Sequence, residues 1–94
     1  MPPVPGTETI LVIDDEPMVV RLTSAMLSRH GYTVVTAGSG TEAVNLFKNR
    51  PQIEVHLLLV DLLMPDMNGI EAVKLITELR PGLPALYFSA YSEK

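Results

Sequence analysis

The sequence predicts an α/β domain, doubly wound about a parallel sheet. Three observations carry this. Short apolar runs, such as residues 9–13 and 55–60, alternate with stretches of helical periodicity. Continuously apolar runs of this length suit strands buried on both faces, as in parallel sheets. The order reads β-α-β-α-β-α-β, and strands separated by helices run parallel with right-handed crossovers. Two runs also end on carboxylates, Ile10-Leu11-Val12-Ile13-Asp14-Asp15-Glu16 and Leu57-Leu58-Leu59-Val60-Asp61.

The elements follow in order. Residues 1–8 read as a linker or an expression remnant, because three of the first six residues are proline and proline neither continues a helix nor pairs inside a sheet. The first strand covers 9–13. Pro17 then favours the first turn of a helix, in which Val19, Val20, Leu22, Thr23, Met26 and Leu27 recur at helical spacing. Gly31 ends that helix, since glycine tolerates the left-handed conformation. Residues 32–37 form a second strand rich in Val and Thr. Ser39-Gly40-Thr41-Glu42 matches a capping box, and Ala43, Val44, Leu46 and Phe47 give the second helix its apolar face. The third strand is expected over 55–60. Asn68-Gly69-Ile70-Glu71 opens a third helix, with Ile70, Val73, Ile76 and Leu79 at helical spacing, and Arg80-Pro81-Gly82 stops it. A fourth strand covers 84–88.

The whole-chain properties narrow the function. Ninety-four residues suit one small domain. The 47% apolar content and mean hydropathy of +0.25 require a buried core, yet no run is long enough to span a bilayer. Seven basic against eleven acidic residues give a net charge of −4 and no basic stripe, which argues against nucleic-acid binding by this segment. There is no cysteine, so disulfides, thiolate nucleophiles and thiolate metal sites are excluded. A cytoplasmic location is expected.

The carboxylates carry the chemistry. In a parallel sheet Asp14, Asp15, Asp61 and Ser89 all fall at one edge, where ligands of doubly wound sheets bind. If the first and third strands are neighbours, three carboxylates converge. Such a cluster either raises the pKa of one member or takes a cation. Oxygen-only donors favour a hard cation, and Mg²⁺ suits carboxylates combined with waters and phosphate oxygens. A carboxylate beside Mg²⁺ can act as a nucleophile toward phosphorus and give an aspartyl phosphate. Taken singly, Asp14-Asp15 could be a helix cap beside Pro17, and Asp61 could be structural. Asp66 reads as a solvated loop residue, and His30 and His56 as structural or exposed.

Ile10-Leu11-Val12-Ile13-Asp14-Asp15-Glu16-Pro17, Val60-Asp61-Leu62-Leu63-Met64-Pro65-Asp66-Met67-Asn68-Gly69 and Phe88-Ser89-Ala90 together resemble the receiver domain of two-component response regulators. The resemblance runs over residues 9–94. It implies a flavodoxin-like, CheY-like fold with strand order 2-1-3-4 for these elements. It makes Asp61 the phosphoacceptor and Asp15 a direct Mg²⁺ ligand, with Asp14 acting mainly through a metal-bound water. Asp61 and the backbone carbonyl of Leu63 complete the metal set. Ser89 takes the place of the switch hydroxyl, and Ala90 leaves room for the phosphoryl group. Pro65 stiffens the turn after Asp61, and Gly69 is expected to supply a backbone conformation that a side chain would resist. The implied partner is a histidine kinase or histidine phosphotransfer domain. Residues 83–91 also resemble receivers appended to hybrid sensor histidine kinases.

The sequence departs from the family pattern at its end. A fourth helix, a fifth strand and the lysine closing that strand would lie beyond Lys94, which is not that lysine. The expectation is a truncated receiver, incomplete at its C-terminus, whose exposed fourth strand promotes self-association. One rival is a Mg²⁺-dependent phosphohydrolase with an aspartate nucleophile. Leu63 stands where such enzymes carry a second aspartate. Another is a non-phosphorylated pseudo-receiver, and a flavin-binding role lacks the phosphate loop after the first strand.

Overall fold

The computed structural model describes residues 7–88. The elements are β1 (Thr9–Ile13), α1 (Pro17–Arg29), β2 (Thr33–Ala37), α2 (Gly40–Asn49), β3 (Leu57–Asp61), α3 (Gly69–Leu79) and β4 (Ala85–Phe88). All strand pairs are parallel, in the order β2-β1-β3-β4. Both the alternation and the implied strand order are therefore met. β1 is central and every one of its residues is buried, which explains its unbroken apolar character.

The direction of travel reverses after β2, so right-handed crossovers put α1 on one face and α2 and α3 on the other. Leu11, Ile13, Ala43, Val44, Phe47, Leu58, Val60, Val73 and Ile76 belong to the core on the second face. Burial of these side chains supplies the main driving force for folding.

The expected apolar face of α1 is only partly used. Val19, Val20, Thr23 and Leu27 are half-buried, whereas Leu22 and Met26 are exposed, and no residue of α1 is fully buried. The reason is geometric. α2 and α3 pack against each other as well as against the sheet, while α1 contacts chiefly β1 and β2. Ile70 and Leu79 of α3 are likewise exposed, and Ala72 is buried in their stead. The third strand starts at Leu57 rather than 55, and the fourth at Ala85 rather than 84. Pro84 has no amide to give to the ladder, although its carbonyl accepts from Leu58 N.

The helix ends follow local chemistry. Gly31 has φ 93° and closes the turn after α1. Ser39 Oγ accepts from Glu42 N, as a capping box requires. The reciprocal bond is displaced by one residue, because Glu42 Oε1 accepts from Gly38 N rather than from Ser39 N. Asn68 Oδ1 accepts from Glu71 N and starts α3.

Gly69 corrects an expectation. Its φ is not in the left-handed region. What it provides is space, since α3 begins against the end of β3 and an added Cβ would lie 2.9 Å from Val60 Cγ1.

Candidate functional site: a carboxylate cluster at the sheet edge

The β1–β3 register pairs Ile13 with Val60. The residues that follow, Asp14 and Asp61, therefore emerge side by side at the carboxyl ends of adjacent strands. Asp14, Asp15 and Asp61 each offer a carboxylate oxygen within 4.8 Å of the others. Asp14 is 1% exposed and Asp61 4%, whereas Asp15 is open to solvent.

Each buried carboxylate is held by the backbone. Asp14 N donates to Ala37 O (3.1 Å), continuing the ladder one residue past β1. Asp14 Oδ1 accepts from Glu16 N at 2.9 Å. Asp61 Oδ1 accepts from Leu63 N at 3.1 Å, while Leu62 N donates to Phe88 O and ties the loop to β4. Asp14 Oδ2 is buried and has no hydrogen-bond partner among the described residues.

Burial pushes the Asp14 carboxyl up to about 6. The Glu16 amide opposes the rise, and the negative charges of Asp61 and then Asp15 add to it. A buried, unpartnered carboxylate oxygen beside two further carboxylates is costly unless a proton or a cation neutralises it. The donors are all oxygens, which fits a hard divalent cation such as Mg²⁺. A hollow of about 360 Å³ opens beside Asp14 and Asp15 toward α1, with Arg21 and Thr36 on its wall.

The three aspartates read from the sequence as site residues are thus brought together. Leu63 lies in the loop after Asp61, with its amide on the Asp61 carboxylate and the residue 71% exposed. Ser89 and Ala90 lie outside the described residues, as do Tyr91 and Lys94. His30 caps the end of α1 and His56 accepts from Thr9 N, both away from the carboxylate edge.

One relationship was missed in the sequence. Asp66 is exposed, as expected of a solvated loop residue, but it is not free. Its Oδ2 accepts from Thr41 N at 3.0 Å and from Thr41 Oγ1 at 2.7 Å. The contact joins positions 25 residues apart, and no local spacing rule reports it. The only available signal was the capping box itself, which announces helix-end amides in need of acceptors.

Comparison with known proteins identifies the family. Residues 10–94 match the response regulator receiver domain family. The chain belongs to that family, a class of phosphoacceptor signalling modules in two-component systems. The probable transcriptional regulatory protein TcrX of Mycobacterium tuberculosis is 35% identical over 83 residues, covering 87% of this chain and 34% of TcrX. The chain thus spans about a third of the length of that relative. Response regulator protein TrrA of Thermotoga maritima, solved in complex with Mg²⁺-BeF, is 31% identical with a TM-score of 0.80, covering 92% of this chain and 72% of that one. The N-terminal domain of a response regulator receiver protein from Methanoculleus marisnigri is 35% identical with a TM-score of 0.78, covering 93% and 70%. Receiver domains are signalling modules rather than conventional enzymes, and these matches do not favour the phosphohydrolase or pseudo-receiver alternatives. No helix among the described residues is long and apolar enough to cross a membrane.

Proposed function

We propose that Asp61 accepts a phosphoryl group from a phosphohistidine of a histidine kinase or histidine phosphotransfer protein. The observation that carries this reading is the convergence of Asp14, Asp15 and Asp61 within 4.8 Å at the sheet edge. The orphaned Oδ2 of Asp14 supports a cation there. Asp14, Asp15, Asp61 and the Leu63 carbonyl are the residues assigned to hold Mg²⁺. When bound, the metal would offset the mutual repulsion of carboxylates and phosphoryl oxygens.

The chain's own groups have distinct tasks. The Leu63 amide fixes Asp61 Oδ1, so Oδ2 is the atom we assign to attack on phosphorus. The new P–O bond forms as the P–N bond to the donor imidazole breaks, and the departing nitrogen keeps the electron pair and takes a proton. Ser89 is assigned as the hydroxyl that then bonds a phosphoryl oxygen, and Ala90 as the residue that leaves room for it. Such a charge change is the local event through which a two-state surface is switched. A cytoplasmic location goes with this assignment.

The test is incubation of the chain with Mg²⁺ and a small acyl phosphate. We expect one phosphoryl group per chain, stable in acid and labile in base, and its loss in Asp61→Asn. No uptake by the wild type, or equal uptake by Asp61→Asn, would overturn the reading.

A further inference from the structure

The loop from Leu62 to Asn68 has two anchors. Near Asp61, the Leu63 amide sits on the acceptor carboxylate and Gly69 N donates to Leu62 O at 3.0 Å. Beyond Pro65 the anchor is Asp66, whose carboxylate oxygen takes both the amide and the hydroxyl of Thr41. Thr41 lies in the first turn of α2, where helix amides lack partners and the helix dipole favours an anion. Asp66 therefore caps α2 from a distant loop. Met67 adds a packing contact, because a Cβ at Gly40 would fall 3.1 Å from both Met67 Cβ and Met67 Sδ. The Thr41 hydroxyl, then the Thr41 amide, hold the Asp66 carboxyl below the usual carboxylate range, so it is an anion at neutral pH.

We propose that Thr41 and Asp66 are positioning residues for the phosphoacceptor loop. Their clamp between α2 and the far side of that loop sets where the Leu63 carbonyl and the Asp61 carboxylate stand. The inference rests on the assignment of Asp61 and Leu63 made above. A helix cap alone would stabilise α2 and leave the carboxylate edge indifferent to its removal. A clamp makes ligand geometry at Asp61 depend on a contact five residues further along the chain.

The experiment uses the full chain and four variants: Asp66→Ala, Thr41→Val, Thr41→Ser and the Asp66→Ala/Thr41→Val double. Asp66 is exposed and Thr41→Val keeps the branched shape, so at least the milder variant retains the fold, which circular dichroism checks. Three quantities are read well below the unfolding midpoint. They are the Mg²⁺ dissociation constant, the exchange rate of the Leu63 amide, and the rate of phosphorylation by a small acyl phosphate. In Asp66→Ala we expect Mg²⁺ binding to weaken about three- to tenfold, Leu63 exchange to accelerate, and phosphorylation to slow by a similar factor. Thr41→Val should show a smaller change and Thr41→Ser should restore wild-type values. The double variant should be no worse than Asp66→Ala, because the two residues form one contact. Unchanged Mg²⁺ binding and Leu63 exchange in Asp66→Ala, with only the melting temperature lowered, would overturn the clamp. If the wild type takes up no phosphoryl group while the variants still weaken Mg²⁺ binding, the assignment of Asp61 fails and the clamp stands.

Discussion

Gly69 and Asp61 touch backbone to backbone: a Cβ at Gly69 would stand 2.5 Å from the Asp61 carbonyl oxygen. That oxygen is not the tip of a flexible side chain and cannot swing away. Gly69→Ala must therefore push α3 off the end of β3 or move Asp61 itself. We expect a loss of about 1–3 kcal/mol in stability, measured by urea unfolding, and slower phosphorylation than the stability loss explains. A variant with wild-type stability and rate would show that the close approach is not required.

Arg80 is a second such joint, at the C-cap of α3. Its Nη2 donates to the carbonyls of Pro51 (2.8 Å) and Ile53 (2.7 Å), and its guanidinium lies 5.3 Å from the Phe47 ring centroid. One side chain thus ties the end of α3 to the segment that leads from α2 into β3. Arg80→Ala leaves two carbonyls without their donor, and a destabilisation of roughly 1–3 kcal/mol follows. Arg80→Lys should recover only part, because an ammonium lacks the planar fork and the stacking face. Thermal unfolding of the three proteins checks the order.

Asp14 and Asp66 give stability opposite pH dependences. Asp14 titrates near 6 in the folded chain, against about 4 when unfolded. The folded state therefore binds that proton more tightly, so the stabilisation is complete below about pH 4 and is lost as pH rises through 6. Asp66 is held below its usual range, and its contribution is present above about pH 4 and lost as pH falls further. Metal-free protein should gain on the order of 1 kcal/mol between pH 7.5 and 5, seen as a rise in the urea midpoint. Asp14→Asn should be more stable than wild type at neutral pH without metal, and flat across that interval. Added Mg²⁺ should stabilise the wild type at pH 7.5 and lose its effect below about 6, as protons compete for the same oxygens.

At β4, Leu86 is 57% exposed and Tyr87 42%, and among the described residues the strand has β3 as its one neighbour. An apolar strand with a free edge is a template for another chain. The 94-residue chain is expected to self-associate, and Leu86→Lys to shift it toward monomer in sedimentation velocity. Monomeric behaviour at all accessible concentrations would contradict this.

Much of the site could be read before the fold, for a physical reason. β1 and β3 are central, so their sequences are uniformly apolar and their ends conspicuous when Asp14 and Asp61 interrupt them. Strand order is what the receiver resemblance implies and no local pattern encodes it; convergence of the aspartates follows once β1 and β3 are neighbours. What stayed hidden depends on neighbours that no local period encodes. Leu22 and Met26 have the spacing of core residues, but α1 has no helix beside it among the described elements. Ile70 and Ala72 exchange roles because the face of α3 is set by its packing on α2. Asp66 looks like an ordinary loop anion, since its partner Thr41 is distant in sequence. The sequence marks Gly69 as necessary, but the need is for room and not for an unusual torsion.

The placement of the carboxylates on two different strands also has a kinetic meaning. Asp15 and Asp61 meet only after the chain closes a loop on the order of fifty residues, which includes a strand that must pair on β1's other side. The entropy of that closure is spent before any ion can find its ligands. A divalent cation should therefore leave the folding rate nearly unchanged and act on the unfolding rate, lengthening the life of a domain it had no part in assembling.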